Sequence, residues 1–204
     1  MICDNNGTLA RDRCWRYHNI LHDDMRNGDG LRVTIFLSGC NHYCKNCQNP
    51  ETWDSMSGIP YDHDAHMEVI NQLNQDYISG VTLSGGDPLN EINVVATDVF
   101  VHEIRDLYPN KSIWIYTGYR WIDLINRPRC TGILKCIDVL VDGPFIEALA
   151  DVKYHWAGST NQKVIDVKKS MVFEPDDLIK TKVRFLEDPV LYDNIYTKDK
   201  IISK

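Results

Sequence analysis

A chain of 204 residues is long enough to bury one hydrophobic core and rather short for two. Its composition, 43% hydrophobic and 25% charged, is that of an ordinary soluble globular protein, and its net charge of −7 argues against nucleic acid as the main partner. No apolar stretch is long enough to span a membrane, and the N-terminus lacks the features of a secretory signal, so we expect a cytoplasmic protein.

The order of predicted elements indicates the fold class. The first thirty residues are polar and predict an irregular leader that ends at the turn signal Asn27-Gly28-Asp29-Gly30. Thereafter we predict strands over 31–37, 80–84, 112–117, 137–143 and 164–167, with helices over 62–77, 90–107 and 121–125 between them. This alternation predicts an α/β fold with a mostly parallel sheet, whose carboxyl edge collects ligands.

Two further signals divide the chain. Pro128 predicts a break after the third helix. Beyond residue 170 the sequence turns charged, which is typical of an extension, either a peripheral hairpin or a partly mobile tail. We therefore predict a leader over 1–30, a core over 31–170 and a C-terminal extension over 171–204.

The most informative motif is a cysteine loop directly after the first predicted strand. Cys40, Cys44 and Cys47 form a C-x3-C-x2-C pattern, which is one ligand short of a closed zinc site or a fully ligated iron–sulfur cluster. Such a loop can hold a [4Fe-4S] cluster and leave one iron open to a small molecule. A structural zinc ion with an outside ligand is the alternative. His42 does not complete it, because it is two residues from both Cys40 and Cys44, and we expect it to order the loop.

The other four cysteines carry less information. An odd total of seven, without a signal peptide, argues against a disulfide framework. We expect Cys130 and Cys136 to be small core residues, whereas the sequence assigns no role to Cys3 or Cys14.

The cysteine loop, followed by the segment Leu83-Ser84-Gly85-Gly86-Asp87-Pro88-Leu89, resembles the radical S-adenosylmethionine enzymes. Within that superfamily an ordered series of motifs resembles the activating components of anaerobic (class III) ribonucleoside-triphosphate reductases. The resemblance covers roughly residues 17–167. The other motifs in the series are NGDGLR at 27–32, QNPETW at 48–53, WIYTGY at 114–119, VLVDGPF at 139–145 and GSTNQKVIDV at 158–167.

The resemblance implies a site and a fold. Cys40, Cys44 and Cys47 would bind a [4Fe-4S] cluster, and the Gly85-Gly86 backbone would accept hydrogen bonds from the methionine ammonium of S-adenosylmethionine. The architecture would be a partial, open (β/α) barrel of the radical S-adenosylmethionine type, with fewer than the eight strands of a closed barrel. The residues implied to bind the cofactor are Asn46, Cys47, Gln48, Gly85, Gly86, Asp87 and Asp142, whereas Asn161 and Gln162 would face the site or a partner.

The resemblance also implies an activity. The reduced cluster would cleave S-adenosylmethionine to a 5′-deoxyadenosyl radical, which would abstract a hydrogen atom from a glycine of the large reductase subunit. No catalytic residue beyond the cluster and cofactor is implied. An electron donor such as a flavodoxin would reduce the cluster, and members of the family tend to form homodimers.

Two departures and two alternatives accompany this interpretation. The chain is longer than the compact members of this group, through the N-terminal leader and the segment after Ser170. Ala157 and Lys163 stand where relatives usually carry arginine, and loss of a bidentate arginine changes the contacts available there. The alternatives are another small radical S-adenosylmethionine enzyme, such as a different glycyl-radical activase or a deazaguanine synthase, and a zinc-stabilised interaction module.

Overall fold

The computed structural model describes residues 14–176 and 180–193, and these residues contain a central sheet, four helices and a separate hairpin. The strands are β1 Arg16–Asp24, β2 Arg32–Leu37, β3 Ile59–Pro60, β4 Gly80–Gly85, β5 Ser112–Tyr116, β6 Val139–Asp142, β7 Lys163–Asp166, β8 Met171–Asp176 and β9 Lys180–Phe185. The helices are α1 His63–Leu73, α2 Val94–Leu107, α3 Trp121–Leu124 and α4 Pro128–Cys136, with short 3-10 turns at Pro50–Thr52 and Glu147–Leu149.

The central sheet has seven strands in the order β3-β1-β2-β4-β5-β6-β7. Strands β2, β4, β5 and β6 are mutually parallel, and the helices form the connections between them. Strands β1 and β7 are antiparallel to their neighbours at the two sides of this parallel centre. The prediction of an α/β fold with a mostly parallel sheet is confirmed. Among the strands that the structure describes, the sheet is open, because β3 and β7 are not paired.

One local expectation was wrong, and one helix was missed. The leader is not irregular throughout, because Arg16–Asp24 forms β1 and pairs with β2. The sequence of β1 gives little sign of a strand, since Ile20 is its only apolar side chain that is buried. The predicted break after α3 is present, but Pro128 then begins the unpredicted helix α4, where the first turn tolerates a residue without an N–H. Residues 1–13 lie outside the described part of the chain.

The two faces of the sheet differ in chemistry. Val33, Ile35 and Leu37 of β2 are fully buried in the core formed with the helices. Because side chains alternate along a strand, Arg32, Thr34 and Phe36 point to the opposite face. The loop between β1 and β2 crosses that face, as shown by the hydrogen bond of 2.8 Å from the Thr82 hydroxyl to the Asn27 carbonyl. At β2 and β4 this opposite face is therefore polar and covered by a loop, whereas at β5, β6 and β7 it carries a small apolar cluster of Trp114, Val139, Val141 and Val164.

A buried arginine anchors this loop. Arg32 is fully buried, and its Nη1 donates to the Asp29 carbonyl at 3.0 Å while its Nε donates to the Thr82 hydroxyl at 2.7 Å. Its guanidinium also lies 5.2 Å from the centroid of the Trp114 ring. Burial lowers the pKa of Arg32 to about 10, so the side chain keeps its charge at neutral pH. The loop before β2 is thereby held against the sheet.

The C-terminal part of the described chain agrees with one of the two expectations for the extension. Strands β8 and β9 form an antiparallel hairpin, and Phe185 packs edge-to-face on Trp121 with ring centroids 5.6 Å apart. Residues 194–204 lie outside the described part. Of the helices described, none is long and apolar enough to cross a membrane.

The cysteines outside the loop were assigned correctly where a role was predicted. Cys130 and Cys136 are buried core residues, 3% and 8% exposed, and both are free thiols. Cys14, for which no role was predicted, is disulfide-bonded, which departs from the argument against disulfides.

Candidate metal centre at the carboxyl edge of the sheet

The three cysteines of the loop line one cavity of about 510 Å³ beyond the carboxyl ends of β2, β4 and β5. Gly85 and Gly86, which follow from β4, line the same cavity. The cysteines are half-buried free thiols. The topology explains this meeting, because parallel neighbours bring the loops that follow them to the same edge of the sheet. The sequence places the two motifs about forty residues apart, and the sheet brings them together.

Backbone hydrogen bonds hold the start of the cysteine loop. The Gly39 N–H donates to the Thr52 carbonyl at 2.7 Å, and the Cys40 N–H donates to the Trp53 carbonyl at 3.0 Å. Within the loop, Tyr43 and Asn46 adopt left-handed conformations with φ of 46° and 55°. These two left-handed residues let the short loop turn sharply. The conformation costs energy for residues other than glycine, so surrounding contacts must enforce it.

Asp87 joins three loops at the cavity. It is 2% exposed, and its carboxylate accepts hydrogen bonds from Nε2 of His42 at 2.7 Å and from the Thr117 hydroxyl at 2.9 Å. The N–H groups of Gly118 and Leu89 donate to the same carboxylate at 3.0 and 2.8 Å. One buried side chain therefore links the cysteine loop to the loops that follow β4 and β5. The expectation that His42 orders the loop agrees with this contact.

The glycine pair packs closely against the cysteine loop. A Cβ added to Gly86 would lie 2.7 Å from the Gly39 carbonyl oxygen and 2.9 Å from the Gly39 nitrogen. A Cβ on Gly85 would lie 2.9 Å from the Leu37 backbone, and the φ of Gly85 is +86°. These distances are too short for any side chain. The pair thus has a structural reason to be glycine, in addition to the approach of a ligand that the sequence suggested.

Replacing Gly86 by alanine is expected to destabilise the protein by about 2 kcal/mol, because the neighbouring backbone of Gly39 must move. The matched control is Gly132→Ala within α4, where the added Cβ would meet only the Asp98 carboxylate at 3.4 Å. This control is expected to gain about 0.5 kcal/mol from helix propensity. Urea unfolding of both variants measures the difference. Equal stabilities would contradict the packing argument.

The surroundings of Cys40 and Cys44 oppose ionisation of these two thiols. Burial raises the pKa of Cys40 to about 11, and burial also raises the pKa of Cys44, against the opposing effect of a hydrogen bond from the Phe145 backbone. The negative charge of Asp87 acts in the same direction as burial on both thiols. Within residues 14–176 and 180–193, no three His, Cys, Asp or Glu side chains converge closely enough to hold one metal ion.

Most of the predicted cofactor residues lie at this cavity. Cys47, Gln48, Gly85, Gly86 and Asp87 all line it.

Two predicted residues are not among its lining residues. Asn46 is exposed, and its side-chain amide donates to the carboxylate of Glu147. Asp142 is 5% exposed, and its two carboxylate oxygens accept hydrogen bonds from the Trp121 N–H at 2.7 Å and the Lys163 N–H at 3.0 Å. These bonds tie β6 to the first residue of α3 and to β7.

Two further walls of the cavity come from loops other than the cysteine loop and the glycine pair. Arg26 and Asn27 contribute one wall from the loop before β2, and Trp156, Ala157 and Gly158 contribute another from the loop between β6 and β7. No local signal identifies Trp156.

Gln162 also lines this cavity, and its Oε1 accepts hydrogen bonds from the N–H groups of Gly158 and Ser159 at 2.9 and 3.1 Å. It therefore shapes the second wall, in line with the site-facing alternative. The side chain of Asn161 instead donates to the Pro144 carbonyl at 2.8 Å.

Comparison with known proteins agrees with this site. Residues 26–165 match the family described as "4Fe-4S single cluster domain". The anaerobic ribonucleoside-triphosphate reductase-activating protein of Haemophilus influenzae is 43% identical over 141 residues, which are 68% of this chain and 90% of the relative. The protein of the same name from Escherichia coli K12 is 42% identical over 150 residues, 72% of this chain and 96% of the relative.

A viral relative extends the comparison. The anaerobic ribonucleoside-triphosphate reductase-activating protein of Enterobacteria phage T4 is 36% identical over 148 residues, 72% of this chain and 92% of the relative. The matched part of the chain includes the cysteine loop, the glycine pair and both cavity walls. The chain therefore belongs to the family of anaerobic ribonucleoside-triphosphate reductase-activating proteins, with residues 26–165 forming its 4Fe-4S single cluster domain.

Proposed function

We propose that this protein is a radical S-adenosylmethionine enzyme that generates the glycyl radical of an anaerobic ribonucleoside-triphosphate reductase. The observation that carries the proposal is that the three free thiols of the C-x3-C-x2-C loop and the Gly85-Gly86 backbone line one cavity. The names of the relatives support the identity of the partner.

The donor set fits an iron–sulfur cluster with one open iron. Cysteine thiolates are the usual ligands of such clusters, and the loop offers three of them on one wall of the cavity. Of the other cysteines that the structure describes, Cys130 and Cys136 are buried in the core and Cys14 is disulfide-bonded, so none supplies a fourth thiolate. Three cysteines of a cluster bind three different irons and need not converge as the ligands of one ion do. The site therefore suits a cluster better than a single zinc ion.

When bound, a reduced cluster supplies the electron that cleaves S-adenosylmethionine to a 5′-deoxyadenosyl radical, the species that removes a hydrogen atom from glycine. The protein's own residues position these groups. Cys40, Cys44 and Cys47 would hold the cluster, the backbone at Gly85 and Gly86 would receive the methionine moiety, and Gln48 would contact the nucleoside part.

Asp87 would act through the protein and not on the ligand. Its carboxylate is engaged by donors of four protein residues, and these bonds hold the cysteine loop beside the glycine pair. We assign it a positioning role. In this proposal the open sheet, with helices on one face and a polar cavity at the carboxyl edge, is a partial (β/α) barrel of the radical S-adenosylmethionine type. An external reductant such as a flavodoxin would supply the electron.

Anaerobic electron paramagnetic resonance tests the proposal. The protein is reconstituted with iron and sulfide and mixed with dithionite, S-adenosylmethionine and the large reductase subunit. We expect about four iron atoms per chain and, after mixing, a glycyl-radical doublet that depends on S-adenosylmethionine. Stoichiometric zinc in place of iron would contradict the cluster. An intact reduced cluster without the doublet would contradict the activity and favour a radical enzyme with a different substrate.

A further inference from the structure

The chain returns to the central sheet after the β8–β9 hairpin. The Val190 carbonyl accepts a hydrogen bond from the Asp166 N–H at 2.9 Å, and the Tyr192 N–H donates to the Val164 carbonyl at 2.8 Å. Residues 190–192 thus run beside β7. They lie beyond residues 26–165, the part of the chain that matches the cluster-domain family. Residues 190–192 therefore extend the sheet beyond the part of the chain that the family model matches.

The side chain of Tyr192 packs on two tryptophans. Its ring centroid lies 5.1 Å from that of Trp114 and 5.8 Å from that of Trp156, and the two tryptophan rings are 5.0 Å apart. All three pairs are edge-to-face, the arrangement that aromatic quadrupoles favour. Trp114 is buried in β5, whereas Trp156 lines the cavity of the candidate site. Tyr192 therefore packs on the wall residue Trp156 without itself lining the cavity.

The hydroxyl of Tyr192 reaches the other wall. It donates to the Asp29 carboxylate at 3.2 Å, and the Asp29 carbonyl accepts from the buried Arg32 at 3.0 Å. Asp29 belongs to the loop before β2 that also contributes Arg26 and Asn27 to the cavity. The same side chain thus contacts both of the loops that form the walls.

One of these walls needs outside support. Trp156 adopts a left-handed conformation with φ of +58°, which costs energy for a large side chain and persists only where surrounding contacts enforce it. The rings of Trp114 and Tyr192 supply such contacts. Loss of the Tyr192 ring would leave this loop freer to move relative to the wall formed by Arg26 and Asn27.

We propose that Tyr192 is a positioning residue that fixes the separation of the two cavity walls and thereby sets the affinity for an adenosine-bearing ligand. The inference rests on the proposed function for the identity of that ligand. It assigns to the C-terminal extension a role at the site, although none of the described residues of the extension lines the cavity.

The test measures binding of S-adenosylhomocysteine, which lacks the sulfonium and is not cleaved, to the reconstituted protein by anaerobic calorimetry. Tyr192→Ala is expected to weaken binding about tenfold and Tyr192→Phe, which keeps the ring, about twofold to threefold. The matched control is Leu191→Ala, a 53% exposed neighbour on the same segment, which is expected to bind as the wild type does. Iron content is expected to be equal in all four proteins.

A second readout does not need the ligand. Near-ultraviolet circular dichroism of the protein reports the coupled rings of Trp114 and Trp156, and Tyr192→Ala is expected to reduce this signal while Leu191→Ala leaves it unchanged. Unchanged affinity and unchanged dichroism in Tyr192→Ala would overturn the inference. If that variant does not fold, wild-type affinity in Tyr192→Phe would overturn it. Failure of the wild type itself to bind would instead count against the proposed function.

Discussion

Replacing Cys44 by alanine is expected to leave the protein without a stable [4Fe-4S] cluster and to reduce glycyl-radical formation at least about a hundredfold. The loop supplies only three thiolates, and among the described residues no free cysteine lies close enough to replace a lost one. Two thiolates cannot hold the cluster against loss of iron to solvent in a cavity that is open. The measurements are iron and sulfide content after anaerobic reconstitution, and the radical signal with the reductase.

The matched control for this experiment is Cys130→Ala. Cys130 is a free thiol that is 3% exposed in the core, so its loss is expected to cost about 1 kcal/mol of stability and no iron. The comparison separates a cysteine that binds the cluster from one that only packs. Wild-type iron content in Cys44→Ala, or loss of iron in Cys130→Ala alone, would contradict the assignment of the loop.

Replacing Asp87 by alanine is expected to lower both stability and cluster content. The carboxylate accepts hydrogen bonds from four residues: the side chains of His42 and Thr117 and the backbone N–H groups of Gly118 and Leu89. Removing the carboxylate leaves these donors without an acceptor. Buried donors without acceptors are costly, so we expect a loss of about 3 kcal/mol. Because the cysteine loop loses its tie to β4 and β5, iron content and radical yield are expected to fall about tenfold.

Two further variants make the Asp87 result specific. Asp87→Asn keeps the size of the side chain but replaces one acceptor with a donor, so its defect is expected to be intermediate. Asp106→Ala removes an exposed carboxylate on α2 and is expected to leave stability and iron content unchanged. Urea unfolding and iron analysis of the three proteins provide the comparison. Full iron content in Asp87→Ala would show that the loop is held by other contacts.

Local sequence was sufficient for the features that depend on short segments. The cysteine spacing places three thiols on one loop, and strand runs such as 31–37 and 80–84 appear in the structure as Arg32–Leu37 and Gly80–Gly85. These parallel strands are buried on both faces, so their apolar and β-branched content is unmistakable. Strand β1 was missed because its sequence is largely polar and only its pairing with β2 defines it.

The sequence by itself determined the family, the α/β order and the cysteine loop, because each depends on the identity and spacing of residues close together in the chain. Only the tertiary structure decided what the polar residues do. Asp87 and Asp142 look alike in sequence, each at the end of a strand. Asp87 joins the cavity loops, whereas Asp142 is not a lining residue of that cavity and ties β6 to α3 and β7. The two cavity walls come from segments far apart in the chain, and Tyr192 contacts these segments at Asp29 and Trp156. Long-range packing of this kind leaves no local pattern.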